Sequence, residues 1–352
     1  MFVHPQIKFN TKNLKLFFGK SSEKEIKEKL SKFFPNCHFL FTDSGRSAFQ
    51  VAIEELGLKN SEMLVPSYLC DIFLPIFEHY HIKPTYLDID LKNFNIQIPE
   101  IEKRITPKNK SILISHTYGF PNDMDKISEI AKKYNLKIIE DCAHSFGIKN
   151  QSEYLGNSGD AAFFSLSKFI PSINGGFLVS RNPIDLNLAE YKFRLTNLIK
   201  FVRLFPYLAK FSEKFRKEEK ILAIKDYSEP RKASKISLKI FNRYLDNFGE
   251  QAQKRIKLAR YFQEKLNKIG FQTSPGITHI SALVPQNMNR DELFNKLRKK
   301  HIFCSHIWHK PIYPNLSNTA EAAKRIINFP LQNWFTEKDI DKIITGILSK
   351  KD

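Results

Sequence analysis

A carboxylate and an amine each stand just after a short apolar run of this sequence. Asp141 ends the run 137–141, and Lys168 follows the run 161–166 by two residues. In an open α/β sheet, ligands bind outside the carboxyl ends of the strands, which is where both side chains are expected. Taken alone, the two residues fit a plain ion pair as well as a reactive pair, because structural ion pairs are common.

A third candidate element is the sequence SGRSAF at 44–49, which follows an apolar run and opens a helical pattern. Gly45 allows close approach of the backbone. The N–H groups of Arg46, Ser47 and Ala48 are expected to face an anion, since helix N-termini bind phosphate. Alone this signal is weak, because its first serine also fits an ordinary helix cap. The chain has neither GxGxxG nor GxxxxGK[ST], which argues against a dinucleotide fold and a P-loop.

Together, a phosphate-binding turn, a carboxylate and an amine match the needs of pyridoxal 5′-phosphate. Its aldehyde needs an amine for a Schiff base, and its phosphate needs a helix N-terminus. Its pyridine nitrogen needs a carboxylate to stay protonated, so that the ring can accept electrons. The sequence therefore predicts pyridoxal 5′-phosphate as the cofactor.

The elements that must position these residues are seven apolar runs that alternate with amphipathic segments. The runs are 39–42, 63–66, 84–90, 111–116, 137–141, 161–166 and 175–180. Strands that alternate with helices predict an α/β fold with a large, mainly parallel seven-stranded sheet. The later pattern predicts one long helix over 244–270, ending at Gly270, and then a smaller C-terminal α+β domain. We expect a large domain at 1–243, with a basic insertion-like segment at 185–235, and a small domain at 244–352.

The composition is that of a globular protein with a strongly basic charge balance. Lys and Arg number 56 and Asp and Glu number 37, giving +19, which favours an anionic partner. No nucleic-acid module signature accompanies this charge, so nucleic acid is not the expected partner. A cytoplasmic location is favoured by three features. The four cysteines form no CxxC pair, and the sequence has neither an apolar run of membrane-spanning length nor a signal-peptide pattern. His301, His306 and His309 lack a defined ligand set, so no metal is expected.

The segment 191–243 holds 15 Lys and Arg against five Asp and Glu, with apolar residues at near-helical spacing. A basic face beside an apolar face fits peripheral contact with an anionic membrane. It equally fits a lid or subunit contact whose lysines meet a substrate diphosphate. Pro206 divides the segment into two short pieces, which slightly favours the lid or subunit contact.

The sequence resembles the DegT/StrS-type sugar aminotransferases, which are pyridoxal-phosphate enzymes of the aspartate-aminotransferase fold. The resemblance is carried by SGRSA (44–48), LVPSYL (64–69), ISHTYGFPNDMD (114–125), IIEDCAHSFG (138–147) and GNSGDAAFFSLSK (156–168). It implies a homodimer with composite sites that transfers an amino group, from glutamate, to a keto-sugar nucleotide. Such products suit cell-surface polysaccharide synthesis, including lipopolysaccharide.

The resemblance also assigns roles to single residues. Lys168 matches the Schiff-base lysine and proton shuttle, and Asp141 matches the partner of the pyridine nitrogen. The remaining cofactor contacts that it implies are Gly45, Arg46 and Ser47 in the phosphate turn, Ser165 near it, His144 beside the cofactor and Cys70 at the ring-stacking position. Tyr68 and His309 are candidate substrate contacts. Two alternatives stay open: a divergent pyridoxal-phosphate enzyme on a non-sugar carbonyl substrate, and a non-catalytic surface-associating protein on the same fold.

Overall fold

The computed structural model describes residues 3, 5–6, 22–193, 195–205, 208, 227–274 and 276–349. Pro206, whose effect on the basic segment was predicted, lies outside these residues, as do 209–226.

All seven predicted strands form one sheet. They are β1 (His38–Thr42), β2 (Glu62–Pro66), β3 (Lys83–Leu87), β4 (Asn109–Ser115), β5 (Lys137–Asp141), β8 (Ala161–Ser165) and β9 (Gly176–Ser180). Their order is β1-β9-β8-β5-β4-β2-β3, and only β9 runs antiparallel to its two neighbours. Most residues of these strands are buried, as expected for apolar strands covered on both faces. The strands β6 (Lys149–Asn150) and β7 (Glu153–Tyr154) form a separate hairpin.

Helices connect the strands and cover the sheet. They are α1 (Glu23–Leu30), α2 (Gly45–Glu55), α3 (Leu74–His79), α4 (Ile98–Arg104), α5 (Met124–Tyr134) and α6 (Leu166–Phe169). The amphipathic segments at 46–56 and 124–134 were predicted as helices, and they correspond to α2 and α5. Asp123 caps α5 by accepting a hydrogen bond from the amide of Lys126 at 3.2 Å.

The predicted long helix over 244–270 is present as a 21-residue helix that ends just before Gly270, but it begins at Phe248 and not at residue 244. The structure has α8 (Lys235–Asp246) and α9 (Phe248–Lys268), with the nonhelical Asn247 between them. The break has a packing reason: the apolar face of α8 contacts the aromatic core beneath the sheet, whereas most of α9 faces the C-terminal core. One straight helix could not bury its apolar residues against both cores.

The C-terminal region is an α+β unit, as predicted. Its strands β10 (Gln272–Thr273), β11 (Ile280–Leu283) and β12 (Ile326–Phe329) form an antiparallel sheet. Its further helices are α10 (Arg290–Lys299), α11 (Ser317–Arg325) and α12 (Glu337–Leu348). Asp88 joins this unit to the large sheet, because its carboxylate accepts the amides of Asn318 and Thr319 at the start of α11, at 3.2 and 3.1 Å. The division into domains at 243/244 stays a prediction.

The described part of the basic segment includes a helix, α7 (Leu195–Arg203). Just beyond it, Leu204 and Phe205 pack on Ile173, in the loop that follows α6. Large apolar side chains remain exposed at Phe193, Leu198, Phe201 and Leu208. Across the described chain, none of the helices has the length and apolar character to span a bilayer.

Candidate active site

The carboxyl ends of β1, β5 and β8 lie at one edge of the sheet because these strands are mutually parallel. The antiparallel β9 begins at this same edge with Gly175 and Gly176. A Cβ on Gly176 would lie 2.5 Å from the amide nitrogen of Gly45, so only glycine permits this approach. A Cβ on Gly45 would in turn lie 3.2 Å from that of Ser165. The two predicted phosphate-site elements, the 44–47 turn and Ser165, are therefore in contact.

The 44–47 turn differs from the prediction in its hydrogen bonds. The hydroxyl of Ser44 accepts the amide of Ser47 at 3.2 Å, and the carbonyl of Ser44 accepts that of Ala48 at 3.1 Å. The expectation that these two amides face an anion is therefore wrong, because Ser44 caps the helix with both of its oxygens. The hydroxyl of Ser47 donates to the carboxylate of Asp43. The amides of Gly45 and Arg46 start α2, and anion binding at this turn stays a prediction.

Asp141 ends β5 with its side chain almost fully buried. One carboxylate oxygen, Oδ1, accepts the amide of Ala143 at 2.9 Å. Burial raises the pKa of this carboxyl to about 6, while the hydrogen bond from Ala143 and the charges of His116 and Lys168 act in the opposite direction. The Oδ2 oxygen has no hydrogen bond within the described chain, so the carboxylate can accept a cationic N–H donor.

Lys168 lies in the short helix α6, directly after β8, and is partly buried. Loss of hydration lowers the pKa of its amine, and the negative charge of Asp141 raises it in part. Cys70 also interacts electrostatically with Lys168, but desolvation raises the pKa of the Cys70 thiol to about 11, so that thiol stays neutral near pH 7. The structure therefore brings the amine, the carboxylate and Cys70 into one site.

His144 completes the group beside Asp141. Burial, followed by the charges of Lys168 and His279, holds the pKa of His144 well below its usual range, so the imidazole is neutral. Its ring lies 5.9 Å from that of Tyr118 and 5.3 Å from that of His279. Its Nε2 atom is buried with no hydrogen-bond partner in the described chain. A buried, unsatisfied nitrogen of this kind is suited to contact a bound ligand.

Of the two candidate substrate residues, Tyr68 is fully buried. Its hydroxyl pairs with that of Tyr118 at 2.9 Å, and its ring contacts Phe94 and Trp308. His309 is half-buried, and its Nδ1 lies 2.9 Å from the carbonyl oxygen of His306. Tyr68 is thus part of a buried cluster with Phe94, Tyr118 and Trp308. The substrate roles of Tyr68 and His309 stay predictions.

A buried pair supports the site from beneath. His116 Nε2 lies 2.7 Å from Glu140 Oε2, and both side chains are inaccessible to water. Three backbone amides, those of Gly156, Ser158 and Gly159, also donate to the Glu140 carboxylate. Burial acts to raise the pKa of Glu140, but His116, followed by the amides of Gly159 and Ser158, holds it below its usual range. In the described chain His116, Glu140 and Cys142 have the spacing of metal ligands, but hydrogen bonds already occupy both carboxylate oxygens.

Sequence reasoning missed two residues near the site. His279 lies on the loop before β11, and nothing in its sequence neighbourhood marks it. Arg255 offers a clearer signal, because it is a charged residue within the apolar stripe of α9. The stripe consists of Phe248, Ala252, Leu258, Ala259, Phe262 and Leu266. A charged side chain at a core-facing position requires buried polar partners.

The donor set fits pyridoxal 5′-phosphate. Asp141 has a free carboxylate oxygen for a protonated ring nitrogen, and Lys168 supplies an amine with a lowered pKa. The start of α2 packs against Ser165, which places an anion-binding turn next to the strand that carries the lysine. His144 Nε2 is a buried polar atom still in need of a partner.

Comparisons with known proteins agree with this chemistry. The family model for the DegT/DnrJ/EryC1/StrS aminotransferases matches residues 11–348. The dTDP-4-amino-4,6-dideoxy-D-glucose transaminase of Shigella dysenteriae is 24% identical over 348 residues, covering 92% of this chain and 88% of that protein. The solved structure of DesV from S. venezuelae has a TM-score of 0.72 at 19% identity, and the match covers 94% of this chain and 89% of that one.

A second solved structure has the same fold. It is a GDP-4-keto-6-deoxymannose-3-dehydratase with a trapped PLP–glutamate geminal diamine, with a TM-score of 0.72 at 17% identity over 94% of this chain and 93% of that one. The structural matches confirm the predicted fold, and the match to the family model over nearly the whole chain confirms the predicted family. The chain belongs to the DegT/DnrJ/EryC1/StrS aminotransferase family.

Proposed function

We propose that this protein is a pyridoxal-phosphate-dependent aminotransferase that moves an amino group, from glutamate, to a keto-sugar nucleotide for cell-surface polysaccharide synthesis. The observation that carries the proposal is the placement of Lys168 beside the buried Asp141, with the start of α2 packed on the same strand end. The relatives support the substrate class, since the Shigella protein is a dTDP-sugar transaminase.

When bound, pyridoxal phosphate supplies an aldehyde that condenses with amines and a ring that takes up an electron pair. Lys168 would hold the cofactor through its amine and would serve as the group that accepts and returns a proton. Its lowered pKa increases the neutral fraction of the amine, which is the form that accepts a proton. Asp141 would pair with the ring nitrogen and keep it protonated. The turn at Gly45 and Arg46, with Ser47 behind it, would receive the phosphate together with Ser165.

A dehydratase on the same fold is the relevant competing activity. By resemblance, family members that remove oxygen from the sugar ring carry histidine where this chain has Lys168. The lysine therefore favours amino transfer. The neutral His144 and Cys70 are proposed to contact the cofactor itself, and Tyr68 and His309 to contribute to the substrate side.

The first test is covalent mapping of the cofactor. The purified protein is mixed with pyridoxal phosphate, reduced with borohydride and digested, and the labelled peptide is identified by mass spectrometry. We expect the label on Lys168, none in Lys168→Ala, and wild-type labelling in Lys103→Ala, since Lys103 is an exposed lysine. A label on another lysine contradicts the site, and no label at all favours the non-catalytic alternative.

The second test concerns the substrate. Glutamate should shift the visible absorbance maximum of the bound cofactor. A keto-sugar nucleotide should then restore the original spectrum and yield an amino sugar, which is detected by mass spectrometry. Keto-sugar nucleotides are compared with a free keto sugar and simple keto acids. Turnover confined to a non-sugar carbonyl compound contradicts the nucleotide-sugar assignment and supports the divergent-enzyme alternative.

We further propose that the protein works in the cytoplasm as a homodimer with composite sites. The segment 191–243 has two proposed roles, a lid or subunit contact and a membrane contact. Packing of Leu204 and Phe205 on Ile173, near Lys168, supports the first. Exposed Leu198 and Phe201, in a segment of charge +10, support the second. Sedimentation with anionic vesicles distinguishes them, because a lid does not carry the protein into the pellet.

A further inference from the structure

Arg255 lies in the middle of α9 and is buried, with 2% of its surface exposed. Its guanidinium donates to three backbone carbonyls. Nη1 lies 3.1 Å from the oxygen of Phe169, and Nη2 lies 3.1 Å from that of Thr278 and 2.9 Å from that of Leu331. These three carbonyls belong to three separate segments of the chain.

The charge of Arg255 is not matched by a carboxylate in the described chain. Burial lowers the pKa of its guanidinium, and the nearby Tyr244 hydroxyl opposes that shift only in part. Its Nε atom is buried and has no hydrogen-bond partner among the described residues. Burying the charge of Arg255 costs hydration energy, which its three hydrogen bonds to carbonyls offset. The consequence of these hydrogen bonds is geometric, because they fix the three segments relative to one another.

Two of the three segments bear directly on the proposed active site. Phe169 directly follows Lys168 in α6, and Thr278 directly precedes His279, whose ring contacts His144. Leu331 follows β12 by two residues. The planar fork of an arginine can hold several acceptors in a fixed arrangement, which a single ammonium group cannot reproduce.

We propose that Arg255 is a positioning residue, which fixes the Lys168 turn against the His279 loop and so sets the direction of the lysine amine. The proposal rests on the proposed role of Lys168 as the cofactor lysine. Arg255 itself touches neither cofactor nor substrate. It acts through the carbonyl of Phe169, one residue from the amine that must meet the cofactor.

The test compares Arg255→Met and Arg255→Lys with the wild-type holoenzyme. Arg260→Met is the matched control, because Arg260 is an exposed arginine on the same helix. Leu297→Ala controls for lost stability, since Leu297 is buried in the C-terminal core within α10. Each variant is measured for kcat and KM, for cofactor dissociation constant, for melting temperature, and for the pH midpoint of the visible absorbance of the bound cofactor.

We expect Arg255→Met to lower kcat roughly 10²-fold with little change in KM, as a displaced reactive group does. Its pH midpoint should shift, because the environment of the Lys168 amine changes. Arg255→Lys should recover part of both effects. Arg260→Met should behave as wild type, and Leu297→Ala should melt earlier while keeping the wild-type pH midpoint.

Three results overturn the proposal. One is Arg255→Met with kcat within about threefold of wild type and an unchanged pH midpoint. Another is an Arg255→Met variant that melts earlier but keeps the wild-type pH midpoint, as Leu297→Ala does. The third is failure of both Arg255 variants to fold. Either of these two results would show that Arg255 serves stability only. The pH midpoint of the visible absorbance is measured without a sugar substrate. It therefore tests the role of Arg255 even where the substrate assignment fails. Absence of cofactor attachment to Lys168 in the wild type instead contradicts the proposed function.

Discussion

Replacing Asp141 by Asn should stabilise the cofactor-free protein at neutral pH. Burial raises the pKa of Asp141 from its ordinary 3.8 to about 6. The folded state therefore disfavours the charged form of Asp141. This cost in unfolding free energy is absent at low pH and grows as the pH rises from 3.8 to about 6. It amounts to about 1.5 kcal/mol at pH 5 and about 3 kcal/mol at pH 7 and above. Asn removes the charge but keeps an oxygen for the amide of Ala143.

The assay is urea denaturation of both apoproteins at one fixed protein concentration, between pH 5 and pH 8. Asp141→Asn should exceed the wild type in unfolding free energy, by a margin that doubles between pH 5 and pH 7. Saturating pyridoxal phosphate should reverse the order, because a protonated ring nitrogen stabilises the carboxylate and not the amide. Equal stabilities, or a difference that does not change with pH, would refute the assignment of Asp141 as a carboxylate held at a cost for a cationic partner.

Three further changes test the framework around the site. Gly176→Ala should weaken cofactor binding and destabilise the protein by about 1–3 kcal/mol, because its Cβ would meet the amide of Gly45. Gly249→Ala is its control, since a Cβ there meets no described atom within 4 Å. Equal cofactor-binding titration curves for the two variants would contradict the close approach of Gly176 to Gly45. Glu140→Ala should cost about 3–5 kcal/mol in urea denaturation, since it leaves His116 and three amides without their acceptor; a loss under about 1 kcal/mol would show that water replaces the carboxylate. Asp88→Ala should cost about 1–2 kcal/mol by removing the cap of α11, and wild-type stability would argue against that cap.

The sheet could be predicted from sequence because its strands are short apolar runs covered on both faces, and helices separate the first five of them. The same pattern placed Asp141 and Lys168 at one edge, since position after a strand defines position in a parallel sheet. The details that failed depend on competition between local partners. Ser44 takes two amides that an anion was expected to meet, and Asn247 separates residues 244–246 from the long helix that was predicted to include them.

Arg255 illustrates a limit of a different kind. Its charge within an apolar stripe shows that it needs buried partners, but the pattern does not name them. The partners are carbonyls 86, 23 and 76 residues away in sequence. Carbonyl groups are present at every position, so no residue type marks the three that Arg255 meets.

The position of β9 has a consequence for the order of folding. This strand lies between β1 and β8, so the first strand of the sheet is joined to the others only through a strand that starts at Gly176. Until residues 176–180 insert, the phosphate turn that follows β1 is not held against Ser165. Long-range pairing of this kind closes large loops and forms slowly. In pulse-labelled hydrogen exchange during refolding, the amides of β1 should therefore gain protection together with those of β9 and after those of β4 and β5, and cofactor binding should follow that late step.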